Sequence, residues 1–189
     1  MKNDFWLLTT LLILSRILDF YSTKLWFFQP GGMEGEMNPL TRFFGVGWNG
    51  LIAANILVIG LVIWVYYFYS FQYQPIKFEN PSDDFKTYIS RLYFGVDNAF
   101  NKVFFAFPAN KSAGRAHFGY TVIRVMIFAS ILASIHNFCQ FYNVEAYNVF
   151  RSIVKRPLYV IYGAILLSFI FFQYRAMTIE FANRYNPNY

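Results

Sequence analysis

Charge is scarce in this chain of 189 residues: Asp, Glu, Lys and Arg make up 14% of positions, against 57% hydrophobic and 23% aromatic. Water-soluble domains carry roughly a quarter of their residues charged, so the composition excludes a soluble globule. Cysteine is nearly absent as well. Cys139 stands alone, which rules out an intramolecular disulfide and a cysteine-rich metal knuckle. Only two histidines occur, His117 and His136, too few for a pair of stacked haems with two axial ligands each. The HExxH, GxSxG and paired-histidine signatures of metal and serine hydrolases are missing. So is any basic run or RNA-binding signature, although the net charge is +6. Nucleic acid is therefore not an expected partner, anionic lipid headgroups are, and no cofactor is expected.

What is present is apolar sequence in four blocks, Phe5–Phe28, Trp48–Phe71, Phe118–Phe141 and Leu158–Tyr174. At 1.5 Å per residue each is long enough, or nearly so, for a helix to cross a hydrocarbon layer of about 30 Å. The first block follows Lys2 as a secretory signal would. It lacks a small-x-small cleavage site, and Arg16, Asp19 and Lys24 stand where the run should end, so it is read as a retained helix. The expected fold is all-α: an integral membrane four-helix bundle with a cytoplasmic, interfacial amphipathic helix. One membrane domain covers residues 1–189, divided into a first transmembrane hairpin (1–75), an amphipathic segment (76–117) and a second hairpin (118–189).

Basic residues set the orientation. Lys77, Lys86, Arg91, Lys102, Lys111 and Arg115 lie in the middle segment, and Lys2 and Arg184 share its side; the other side holds Arg42, Arg151, Lys155 and Arg156. The excess places the middle segment and both termini in the cytoplasm, with the chain in the inner (plasma) membrane as a multi-pass protein.

Pro81-Ser82-Asp83-Asp84 is a helix-start signature, a cap followed by acids at the positive end of the dipole. After it Phe85, Tyr88, Ile89, Leu92, Tyr93, Val96, Phe100, Val103, Phe104 and Phe107 keep i, i+3, i+4 spacing until Pro108. The pattern predicts one apolar stripe over 84–107, with Gly95 and Asp97-Asn98 as its natural break. Lipid, the underside of the bundle and a sister subunit all remain open as what covers it, because periodicity identifies a buried face without naming its neighbour. The third loop, Val144–Arg156, alternates apolar and polar residues and can form an interfacial helix.

Ionisable groups at membrane depth are functional candidates by default. Arg16 and Asp19 are three apart and share a helix face, with Thr23 one turn further; Lys24 can extend to the interface. The connection from Gln29 to Leu40 combines three glycines, two prolines, Glu34 and Glu36, a turned and oily loop able to dip between helices. Depth arithmetic puts Asp19 about 21 Å and His136 about 27 Å from the cytoplasmic side, and Asn55 about 10 Å below the outer one. Arg16, Asp19, Thr23, Glu36, Asn38, Asn55, His136 and Asn137 are thus candidates for one outward-facing polar pocket. A carboxylate beside an imidazole suits general acid–base chemistry, which makes Asp19, Glu36 and His136 the catalytic candidates. The same groups can hold a divalent metal, or simply satisfy one another and lock the bundle. His117, beside Arg115 and near Arg124, stands apart at the other end.

Asp19 and Thr23 one turn apart late in the first span, followed by Glu36-x-Asn38-Pro39-Leu40 before the second, resemble a family of small bacterial and archaeal membrane proteins of uncharacterised function. The resemblance covers about residues 14–70 and implies that Asp19, Thr23, Glu36 and Asn38 belong together; it implies no activity. Three functions follow as expectations. The first is a non-catalytic membrane subunit, an anchor or sensor, whose amphipathic helix meets a cytosolic or membrane-complex partner. The second is a membrane-embedded enzyme working through the polar set. The third is an oligomeric channel using Arg16 and Asp19. Wide apolar faces on so small a bundle also point to a homo-oligomer.

Overall fold

The structure is a computed structural model that describes residues 2–29, 45–76, 78–79 and 82–185, with the side chains of Lys2 and Asn3 left aside. Among these residues the chain forms six α-helices and no strand. Four are long and apolar enough to cross a membrane: α1 (Lys2–Phe27), α2 (Trp48–Tyr67), α4 (Lys111–Phe141) and α6 (Pro157–Ala182). Two are short: α3 (Phe85–Phe94) and α5 (Glu145–Val154).

The long helices alternate in direction. Phe5 stacks on Tyr66 with ring centroids 5.6 Å apart, Phe27 meets Trp48 at 5.1 Å and Trp26 meets Phe141 at 5.8 Å. The starts of α1 and α4 and the finishes of α2 and α6 therefore share one end, called the near end below; the opposite end is the far end. α4 is the central helix, packed on α1, α2 and α6. Close approach needs small residues, since lipid offers little hydrophobic drive between helices. Ser15, Ser22, Ser130 and Ser134 are buried. A Cβ on Gly119 would sit 2.4 Å from the Val65 carbonyl oxygen, so a hydrogen there sets the α2–α4 distance.

Two helices run further than their apolar blocks. α4 begins at Lys111 and not at Phe118, and α6 continues to Ala182 past Tyr174. In the added turns Ala113, Ala116, His117, Ala176, Met177 and Glu180 are buried, because other near-end elements cover them. One cover is a π-helical turn, Phe68–Gln72, that prolongs α2 and closes with the Tyr73 N–H donating to the Phe68 carbonyl at 2.8 Å. The other is α3.

The stripe over 84–107 differs from a single helix. Asp84 caps α3, its carboxylate accepting from the Thr87 N–H at 2.8 Å. The helix stops at Gly95, whose φ of +73° is the left-handed geometry that ends helices. Arg91 pairs with Asp97 across that stop, and a 3-10 turn, Phe100–Phe104, follows. Of the stripe, Tyr88, Ile89, Leu92, Tyr93 and Val103 are buried within the protein, Phe85 and Phe100 are half-buried, and Val96, Phe104 and Phe107 are exposed. The first half thus packs under the bundle, against α4 and α6. Asn110 fixes it there: its backbone N–H donates to the Tyr93 carbonyl and its Nδ2 to the Leu92 carbonyl, both at 3.0 Å, while its Oδ1 caps α4. The third loop does contain a helix, α5, none of whose residues is buried.

Candidate functional site

Four near-end segments deliver polar groups to one buried network. Thr121 Oγ1 on α4 donates to Gln173 Oε1 on α6 at 2.9 Å. Gln173 Nε2 donates to the Tyr93 hydroxyl on α3 at 3.0 Å. That hydroxyl is also hydrogen-bonded to His117 Nδ1 on α4 at 2.6 Å. His117 Nε2 faces Glu180 Oε2 on α6 at 3.6 Å. The other carboxylate oxygen accepts from the Tyr73 hydroxyl, just past the π-helical turn, at 2.8 Å. His117 is 1% exposed and Glu180 2%.

Burial first, and the facing Glu180 carboxylate second, push the Tyr73 hydroxyl well above the ordinary phenol range. The same two causes raise Tyr93, with Gln173 opposing. Both phenols therefore remain donors. Glu180, which accepts from Tyr73 and faces His117, is a buried acceptor held by this network. His117 Nε2 is a buried atom with no hydrogen-bond partner among the described residues. Beside the network a cavity of about 610 Å³ is lined by Tyr93, Gln173, Phe104, Phe107, Phe118 and Phe169 among others, with Lys111 and Arg115 contributing to its wall. Arg115 also lies over the Phe68 ring at 4.9 Å.

This network was not anticipated in the sequence, which set His117 apart and did not single out Glu180, Gln173 or Tyr73. A signal existed. Gln173, near the end of the last apolar block, and Ala176, Met177 and Glu180 beyond it keep helical spacing, and the latter three are buried. Arg124 donates to the Tyr120 carbonyl at 2.8 Å and stacks 3.6 Å over the Tyr120 ring.

The outward-facing set divides. Arg16 Nη1 pairs with Asp19 Oδ2 at 2.8 Å and donates to Ser130 Oγ at 3.1 Å. Asn137 Nδ2 donates to Ser22 Oγ at 3.1 Å and to Thr23 Oγ1 at 3.3 Å, while its carbonyl accepts from Trp26 Nε1 at 3.1 Å. These bonds tie α1 to α4. Asn55 donates back to the Leu51 carbonyl of its own helix at 3.0 Å, and it shares with Arg16 the lining of a cavity of about 290 Å³ between α1 and α2. His136 is directed elsewhere, with its Nδ1 hydrogen-bonded to the Tyr147 hydroxyl on α5. Glu36 and Asn38 lie outside the described residues. Among the described residues no group of three His, Cys, Asp or Glu side chains is placed to hold a metal. Comparison of the chain with protein-family models, curated proteins and solved structures returned no match.

Proposed function

We propose that the chain is a non-catalytic, multi-pass membrane subunit that engages a partner protein at its near end. The observation that carries this reading is the exposure of Phe105 and Phe107, 92% and 99%, with Phe107 lining the 610 Å³ cavity. Two aromatic side chains this exposed, two positions apart, are the kind of anchor that fills a partner's pocket. The inward polar groups support it too, because Glu180, Tyr73, Tyr93 and Gln173 are hydrogen-bonded within the network. The outer face of α6 carries Leu166, Leu167 and Phe171, each more than half exposed, so this span has room for a partner helix or a second copy.

On this reading the near end is cytoplasmic, in a plasma (inner) membrane, as the basic residues of the middle segment indicate. The resemblance of residues 14–70 to the uncharacterised membrane family belongs to the same proposal, grouping Asp19 and Thr23 with Glu36 and Asn38. The enzyme reading has less support: Asp19 is already paired with Arg16, and His136 with Tyr147. The test is a photo-crosslinking residue at position 107 in native membranes, with a reporter fusion at Asn110 for orientation. A discrete protein adduct, lost on Phe105→Ala, and a cytoplasmic reporter are expected. Lipid adducts alone, or a reporter active only outside the cytoplasm, would overturn the proposal.

A further inference from the structure

The far end holds a second cavity, of about 340 Å³, unrelated to the partner surface proposed above. Its lining comes from His136 and Gln140 on α4, Arg151 at the last turn of α5, Lys155 and Arg156 in the connection, and Pro157 to Tyr159 in the first turn of α6. No carboxylate is among these residues, and none of the three cations takes part in an ion pair among the described residues. Three like charges within six positions repel one another, and among the described residues no carboxylate is paired with them. The connection is also strained there, with Lys155 at φ +55°.

Two features point to an anion as the missing partner. The 26-residue helix α6 begins at the cavity, so its positive dipole end adds to the three cations. Independently, His136 is 8% exposed and lines the cavity. Its Nδ1 is taken by Tyr147, whose hydroxyl is pushed up by burial and keeps its proton. No hydrogen bond to Nε2 is found among the described residues, and an anion in the cavity selects the tautomer that places the ring proton there. The Arg156 guanidinium is oriented by donating from Nη1 to the Tyr159 hydroxyl at 3.0 Å, and Arg151 and Lys155 flank it.

The level of the cavity narrows the chemistry. Val149 and Ile153 on α5 are 55% and 75% exposed, the outward apolar face of a helix lying across the ends of membrane-spanning helices. A helix of that kind sits at the boundary of headgroup and acyl chain, which is where lipid phosphates are.

We propose that this cavity binds a phosphate mono- or diester, the chemistry of an anionic lipid headgroup, through Arg151, Lys155, Arg156 and the Nε2–H of His136. Charge-assisted bonds to phosphate are stronger than neutral ones, and the guanidinium geometry suits it.

The full chain, purified into nanodiscs, tests this. One arm uses phosphatidylglycerol in a phosphatidylcholine background; the other uses phosphatidylcholine alone with inorganic phosphate added. Native mass spectrometry counts retained phosphatidylglycerol, and thermal melting reports stabilisation by either ligand. The expected result is one retained anionic lipid, with affinity reduced about tenfold or more in Arg151→Gln and in Arg156→Gln. Arg151→Lys should lose less, and Lys24→Gln, an exposed cation on α1, should bind as the parent does. Stabilisation by inorganic phosphate alone, sensitive to the same two substitutions, would keep the site and assign it to a soluble phosphate. Equal loss in Lys24→Gln and Arg151→Gln, or no loss in either arginine variant while melting without ligand is unchanged, would overturn it.

Discussion

The Tyr93 hydroxyl and His117 Nδ1 stand 2.6 Å apart, and this bond joins the short helix under the bundle to its central span. The geometry makes α3 a structural part of the membrane unit. Its N-terminal turn is held from the other side, where the Asp83 carboxylate accepts from Arg184 Nη2 at 3.0 Å and from the Tyr185 hydroxyl at 2.6 Å. The near end is thus closed by polar bonds at both edges of an aromatic layer in which Phe85 and Tyr88 meet Phe181.

Tyr93→Phe removes one oxygen from that closure and strands two buried groups, His117 Nδ1 and Gln173 Nε2. An unsatisfied buried polar group costs about 1–3 kcal/mol, so the variant should melt clearly below the parent in detergent. Glu180→Gln keeps an acceptor for Tyr73 and should be milder than Glu180→Leu, which removes it. Unchanged melting of Tyr93→Phe would show that the network contributes little to stability.

Gly119 supplies a steric test of the α2–α4 contact. Alanine there places a methyl 2.4 Å from the Val65 carbonyl oxygen, a backbone atom that cannot rotate aside, whereas nothing lies within 4 Å of a Cβ on Gly163. Overpacking of this kind costs about 1–3 kcal/mol. Gly119→Ala should therefore destabilise the protein measurably, and Gly163→Ala should be neutral or slightly stabilising, as alanine favours a helix over glycine. Thermal melting of the two variants side by side checks both.

How much of this was legible in the sequence depended on which force acted. The four apolar blocks were readable because lipid-facing helices need continuous apolar sequence. The cap at Asp84 and the break at Gly95 were readable because local backbone geometry dictates their residue types. Glu180 was not: it lies past the apolar block, next to Asn183 and Arg184, where a carboxylate ordinarily means a solvated tail. Only tertiary cover from Tyr73 and α3 makes it buried. His136 was placed at a sensible depth, but depth along an axis says nothing about rotation around it, and its Nδ1 turned to Tyr147. Arg16 with Asp19 was the simplest local reading of the polar set, and the ion pair is there.

Acid should loosen the near end before it affects the spans. Hydrogen bonds from Tyr185 and then Arg184 hold Asp83 below its ordinary value; the Thr87 backbone and side chain do the same for Asp84, and Arg91 for Asp97. A carboxyl with a lowered folded-state pKa contributes stability above its unfolded pKa, about 3.9 for Asp. That contribution is lost as pH falls through the lower folded value. Hydrogen exchange of the α3 amides should accelerate in that window while those of α4 stay protected. Parallel loss in α3 and α4 would contradict the local origin.

Arg16 and Asp19 allow the pair to be separated from a site. The two side chains are mostly covered, at 17% and 15% exposure, and bridged at 2.8 Å, with Ser130 as a further acceptor for the guanidinium. Removing one partner of a buried pair leaves a charge without compensation, at a cost of about 3–5 kcal/mol. Asp19→Ala should accordingly be severe, because Ser130 offers a dipole where a charge is needed. Arg16→Ala should also destabilise, since it removes the cation that the Asp19 carboxylate faces. The double substitution removes both charges and should recover most of the loss, giving a coupling energy well outside the few tenths expected of independent sites. Thermal melting of the four proteins in one lipid mixture measures it. Additive losses would mean that Arg16 and Asp19 each serve a different partner, and Asp19 would then return as a candidate for chemistry with Thr23 and the loop that carries Glu36 and Asn38.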